Sequence, residues 1–259
     1  MTTMYTFSSD DVYDILRKEI LTLALEPGTL LSENMVSARF GTSRTPTRSV
    51  FEHLRTDGLI DVIPKKGSFV SLIDPELSEQ IIYLRISSEL GVMTQLTRKP
   101  SRDLMSLLKK NLEEQERLLD QELIRDEFFS LDSRFHELCM QATGKGRLWQ
   151  MIQHMDVHYS RYRYMDYELS NQKDIYPSLY HQHLDLYQAL KEQNPFVLKY
   201  LLTSHLYSGF LRIGTKLQME YGHYFVKGTR SIGEILVNVK ILIQDSWDEL
   251  QEYKKKGFC

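Results

Sequence analysis

Residues 24 to 75 are punctuated by turn and cap residues more tightly than any other part of the chain, and that punctuation leaves few folds open. Just before it, SDDVYDILRKEILTLA (9–24) places Val12, Ile15, Leu16, Glu19, Ile20 and Leu23 at helical spacing, with Ser and Asp residues where a cap and a helix dipole use them. Pro27 and Gly28 in EPGT break this helix. Ser32 then stands as N-cap of a short second helix, ENMVSARF, which Gly41 stops where a left-handed C-cap is favoured. A third helix must begin almost at once. Ser43 caps it, Pro46 falls in its first turn, where a missing N–H costs little, and Gly58 ends it. Its inward face is Thr47, Val50, Phe51 and Leu54. LIDVIPKKGSFVSLI then reads as two β-prone runs about a Pro64–Gly67 turn, a hairpin. Three helices and a hairpin in this order predict a winged helix-turn-helix over residues 1–75.

From Asp74 onward the pattern changes. Helical periodicities run over about 76–98, 101–122, 125–142, 145–165, 175–192 and 195–219, with little strand-like alternation. An all-α bundle of six or seven helices over 76–220 is the expected architecture, making the fold mainly α. Residues 221–259 form an extension that reads as one more helix, although Val237, Val239 and Ile241 alternate enough to leave a strand open.

The 259 residues are long enough for two domains, and 42 % hydrophobic with 26 % charged residues is an ordinary globular composition. Two cysteines, Cys139 and Cys259, offer neither a disulfide framework nor a zinc-knuckle spacing. No signal peptide and no apolar run of membrane-spanning length is present, so a cytoplasmic setting and no membrane partner are expected. A formal net charge of −3 does not itself favour nucleic acid, but Arg39 to Arg55 carries four arginines against one Glu52. What matters for DNA is where the positive charge sits.

Short polar side chains and arginines at the start of a helix with an apolar far side suit a major-groove reader. Arg44 and Arg48 are four residues apart and share a face, and the hairpin tip PKKG supplies two lysines. A surface helix with a cap and solvated charges is the plainer alternative for any one of these features. Their order along the chain favours DNA. The run LSENMVSARFGTSRTPTRSVFEHLRTDGLI followed by KKGSFV resembles the N-terminal domain of GntR-type bacterial transcription regulators. That resemblance implies that Ser43, Arg44, Thr45, Arg48, Lys66 and Gly67 contact double-stranded operator DNA. One departure is Asn34, where the family often has Arg after the Glu.

In the helical half, Asp132 and His136 are spaced i, i+4, and His183 and His205 lie on apolar-bordered faces of two further helices. Singly, each is the pattern of a hydrogen-bonded core residue. Meeting inside a bundle, three imidazoles and a carboxylate suit a divalent transition metal such as Zn, Ni or Mn. His154 and His158 are also at i, i+4, but HMDVH lacks the Glu of a zincin helix. YLRISSELGVMTQLT, with Arg85 and Glu89, and LDSRFHELCMQATGKGRL resemble the FCD ligand-binding domain of the FadR subfamily of GntR regulators, though Gly144-Lys145 replaces the more usual Gly-Asn. The resemblance implies that Asp132, His136, His183 and His205 hold a metal beside a small carboxylate effector. HYSRYRYMDYELS then supplies Arg161, Arg163 and Tyr162 or Tyr164 to that effector, unless the stretch is a dimer face or a plain helix surface.

The expected function is a homodimeric, ligand-responsive regulator, in the family's commoner habit a repressor, and not an enzyme. Two rivals stay open: a metal-free regulator sensing an acyl thioester, and a metal-dependent enzyme fused to a DNA-binding domain, for which no general base is evident.

Overall fold

The computed structural model describes residues 7–121, 125–228 and 230–256, apart from the side chains of residues 172, 215 and 218. Cys259, and residue 122 at the end of one expected helix, lie outside the described residues.

The N-terminal unit contains α1 (Ser9–Leu21), α2 (Glu33–Phe40), α3 (Arg44–Thr56) and strands β1 (Leu30–Leu31), β2 (Ile60–Ile63) and β3 (Gly67–Val70). Ser8 and Asp11 close a reciprocal capping box at the start of α1. Gly41 takes the left-handed C-cap of α2 at φ 65°. Ser32 and Ser43 occupy the N-cap positions, but neither side chain makes a capping hydrogen bond. The expected hairpin is the larger part of a three-stranded antiparallel sheet in the order β1-β3-β2, since Leu30 and Leu31 pair with Phe69 and Ser68. A two-residue strand is too short to show alternation, which is why the sequence pattern did not reveal it. Gly67, at φ 123°, is required on two counts, because a Cβ there would also meet Leu30 Cδ1 at 3.0 Å. Val12, Leu16, Ile20, Val50, Phe51, Leu54, Leu59, Ile60 and Val70 form this unit's core. Each such buried side chain contributes about 1.5–3 kcal/mol.

The helical part contains α4 (Pro75–Arg98), α5 (Arg102–Leu118), α6 (Arg125–Ala142), α7 (Gly146–Met155), α8 (Val157–Leu169), α9 (Gln172–Lys191), α10 (Pro195–Glu220) and α11 (Ile232–Lys255). The single helix expected over 145–165 is two, broken at Asp156. The break lets one stretch serve two cores: Trp149 and Ile152 on α7 face the bundle, while Val157 joins the core of the winged unit. The tail is helical, not a strand. Ile235, Val239, Ser246 and Leu250 are buried while Val237 and Ile241 are exposed, so the helical period decides over the local alternation. α11 packs along α10, and Arg230, just before it, pairs with Glu76 and Glu79 of α4. Among the described residues no helix is long and apolar enough to cross a membrane.

α8 also fastens the connection between the two parts. Arg161 is fully buried and donates to the carbonyl of Ser71 (2.5 Å) and to Ser71 Oγ (3.2 Å). His158 Nδ1 accepts from the backbone N–H of Asp74 (3.1 Å). Ile73, in the connection, bridges to Phe225, and Lys18 of α1 pairs with Asp126 of α6 at 3.2 Å, so α8 is not the bundle's only tie to the winged unit. Burial, with the Arg161 guanidinium beside it, lowers His158 from its ordinary value of 6.5 to about 4. An unfolded chain takes up a proton on His158 near 6.5 while the folded chain does not. Its contribution is therefore fully present above that pH and is lost as pH falls toward 4. Urea titrations across this window are expected to show a shallower loss of stability in His158→Gln than in the parent, by up to about 1.4 kcal/mol per pH unit. Identical slopes would mean the imidazole stays neutral in neither state or in both.

Candidate functional site

Two sets of residues stand out on the folded chain. On the winged unit, Ser43, Arg44, Thr45 and Arg48 are exposed at the start of α3, and Lys65, Lys66 and Gly67 are exposed at the hairpin tip. The fold sorts the local arginines. Arg39 is bound at both nitrogens by Glu19 and Arg55 pairs with Glu52, whereas Arg44 and Arg48 make no ion pair or hydrogen bond among the described residues. Thr47 points inward, its Oγ1 2.8 Å from Ser37 Oγ and 2.9 Å from Thr42 Oγ1. Those hydroxyls hold α2 against the first turn of α3 and so aim the exposed face.

Inside the bundle, α6 brings in Asp132 and His136, α9 His183 and α10 His205. All four are buried, and one ligand atom from each lies within 4.8 Å of the others. Each imidazole is held from behind. His136 Nδ1 is 2.6 Å from Glu89 Oε2, His183 Nδ1 is 2.9 Å from Gln115 Oε1, and His205 Nδ1 is 2.8 Å from Gln182 Oε1. Oxygen acceptors there place a proton on Nδ1 of each ring, so a ring in its neutral form offers Nε2 as a bare lone pair. His136 Nε2 and His205 Nε2 stand only 3.1 Å apart, and His183 Nε2 has no hydrogen-bond partner. Converging lone pairs in a dry interior repel, so this arrangement fits a cation between them.

The charges agree. Burial would raise the Asp132 carboxyl, but the Arg163 guanidinium beside it holds it well below the usual carboxylate range. Burial lowers His183 to about 3 and, with His183 and His136 adjoining, lowers His205 strongly. Both histidines are thus kept in the neutral form that ligates metal.

Arg163, from α8, reaches this centre and donates to Asp132 Oδ2 at 2.6 Å. Arg161 and Tyr164 do not. Arg161 faces the opposite side of α8, toward Ser71, because residues two apart on a helix diverge by roughly 200°. Tyr164 stacks on Phe129 with ring centroids 5.0 Å apart and bonds Asp126. Tyr162 stacks on Phe210, away from the centre. In their place stand Tyr167, which accepts from Arg163 (2.9 Å), and Arg85, whose Nε donates to Glu89 (2.7 Å). Gln115 and Gln182 carried no sequence signal: a glutamine on an amphipathic helix looks the same whether it supports a histidine or faces water. The cavity bordering Asp132, Arg163 and His205 holds about 20 Å³.

Residues 8–70 match the family described as bacterial regulatory proteins, gntR family, and residues 80–208 match the FCD domain. The chain is 34 % identical over 201 residues to an HTH-type transcriptional regulator from an unstable DNA locus of Streptomyces ambofaciens, covering 77 % of this chain and 82 % of that one. It belongs to the GntR family. A second relative, the HTH-type transcriptional repressor RspR of Escherichia coli, is 31 % identical over 198 residues, 76 % of this chain and 85 % of its own. In fold, E. coli McbR/YncC superposes with a TM-score of 0.63 at 17 % identity, covering 86 % of this chain and all of that one. Within the family this chain is a transcriptional regulator with an N-terminal GntR helix-turn-helix domain, which implies DNA binding, and a C-terminal FCD domain.

Proposed function

We propose that this regulator is a repressor whose helical part senses a small carboxylic acid at a centre where Asp132, His136, His183 and His205 hold a divalent transition metal, Zn, Ni or Mn. The observation that carries the reading is the set of three bare Nε2 atoms converging with an Asp132 oxygen, each ring locked by its own acceptor. When bound, the ion supplies Lewis-acid affinity for a carboxylate oxygen. The chain's own residues do the rest. Glu89, Gln115 and Gln182 fix the imidazole tautomers, and Arg163 holds Asp132 ionised and adds positive charge on the effector's side. The space beside the cluster is that of about one water, so a compact acid would need a small opening there, whereas an acyl thioester's chain would need a whole tunnel.

The DNA-reading surface is Ser43, Arg44, Thr45 and Arg48 in the major groove, with Lys66 and Gly67 at the wing. We place the division between DNA-binding and sensing domains at residues 75/76, with 221–259 as an extension of the latter. Two copies would set their α3 helices about one DNA turn apart. An effector with unequal affinity for two arrangements of the winged units then shifts operator occupancy. Repression is supported by the names of relatives, among them a gluconate operon transcriptional repressor of Bacillus subtilis, 31 % identical over 137 residues.

Elemental analysis of natively purified protein tests the centre. About one transition metal per chain is expected, lost in His183→Ala and in His205→Ala. No metal in the parent, and none taken up on titration, would remove the metal from this reading and leave the DNA-binding surface standing.

A further inference from the structure

An aspartate at the C-terminal end of a helix opposes the helix dipole. Asp57 nonetheless forms the C-cap of α3, and its side chain is only 13 % exposed. Local helix chemistry and solvation do not account for it there, but its partners do. Oδ2 accepts from the Tyr13 hydroxyl of α1, and Oδ1 lies 3.0 Å from Nε2 of His154 on α7. One carboxylate thus ties the last turn of α3 to its own unit and to the bundle. The next residue is tied as well. The carbonyl of Gly58 accepts from Ser71 Oγ at 2.7 Å, and that oxygen accepts from Arg161 Nη2 of α8 at 3.2 Å. The two residues that end α3 are therefore held from two consecutive bundle helices, while Ser43, Arg44, Thr45 and Arg48 stand exposed at its other end.

The two ties differ in kind. Ser71 and Arg161 are buried, and a guanidinium keeps its charge near neutral pH. The His154 side chain is 67 % exposed, and an imidazole is the side chain whose charge changes between about pH 5 and 8. Asp14, Arg17 and His53 stand near Tyr13, and the charges on the helices packed against α7 are already matched, Arg134 with Glu137 on α6 and Arg85 with Glu89 on α4. At the start of α8, Asp156 accepts from Ser160 and His158 from the backbone of Asp74. Among the described residues, Asp57 alone is within ion-pair distance of His154.

We propose that His154 is a positioning residue for the DNA-reading helix, and that its protonation tightens the hold on Asp57 and so makes operator affinity respond to pH. The lever is long. A helix of 13 residues spans about 20 Å, so a tilt of about 5° at the held end moves the reading end by about 2 Å, enough to part an arginine from a base edge. Holding α3 in place before DNA arrives lessens the freedom lost on binding, so the protonated form binds more tightly. The inference rests on α3 being the reading helix, which Arg48→Ala tests separately.

Fluorescence anisotropy of the full-length protein on DNA selected with the parent, at constant salt from about pH 5.5 to 8, tests the hold. The parent is expected to gain about threefold in affinity toward the acid end, and His154→Gln, whose amide does not titrate, to lose that step. The exposed position leaves the core intact in this variant, and both proteins share every other titrating group, the clustered histidines included. Asp57→Asn separates the hold from simple charge. His154 still takes up its proton there, so a long-range attraction to DNA would survive in Asp57→Asn, whereas the positional effect is lost. A parent profile that superposes on that of His154→Gln would overturn the proposal. So would an acid step that persists undiminished in Asp57→Asn.

Discussion

Replacing Arg48 by alanine is expected to weaken operator binding roughly tenfold to a hundredfold and to relax sequence preference at one base pair of each half-site. The size follows from the chemistry of arginine in the major groove, where two parallel hydrogen bonds to guanine N7 and O6 are worth about 1–3 kcal/mol of discrimination. Arg48 is exposed one turn into α3, without an ion pair or hydrogen bond among the described residues, so its removal costs the fold little. A Lys66→Ala change at the wing serves as contrast. Its loss should weaken all sequences alike and reduce the salt dependence of binding by about one phosphate's worth. Sites selected from a random DNA pool with the parent protein, then measured by fluorescence anisotropy over a range of salt, give both readouts. If Arg48→Ala left affinity and preference unchanged, α3 would not be reading bases through this face.

Stripping metal with a chelator is expected to lower the melting temperature by roughly 10 °C. A ligand present at about a thousand times its dissociation constant stabilises the folded state by about 4 kcal/mol, and a chain of this size moves about 2–4 °C per kcal/mol. The geometry adds a reason for a large effect. Without a cation, the lone pairs of His136 and His205 face each other at 3.1 Å and the Nε2 of His183 has no partner. Differential scanning calorimetry before and after chelation, then after adding back zinc, nickel or manganese in turn, measures the shift and ranks the ions. His183→Ala should melt low from the outset and respond to none of them. A parent protein whose melting is indifferent both to chelator and to added metal would defeat the assignment.

Much of this was legible before folding, and the reason is local. Gly41, Gly58 and the alternation of Thr47, Val50, Phe51 and Leu54 encode α2 and α3 within a few residues of themselves, so the winged unit could be read almost element by element. Asp132 and His136 announce a shared face by their spacing, and the structure does bring them together with His183 and His205. What could not be read was which neighbours those faces would meet. Helical period is a weak guide to which of several polar residues on one helix turns inward: it did not separate Arg163, which holds Asp132, from Arg161, which holds Ser71.

The sequence by itself determined most of the elements, though not β1 or the break between α7 and α8, and the residue types available for chemistry, because caps, turns and amphipathic periods act over four residues or fewer. Only the tertiary structure decided the supports and the clefts. Glu89 reaches His136 across 47 residues, and Gln115 reaches His183 across 68. Such contacts are set by how helices cross and which faces they bury, a property of the packed whole that no short stretch of residues contains.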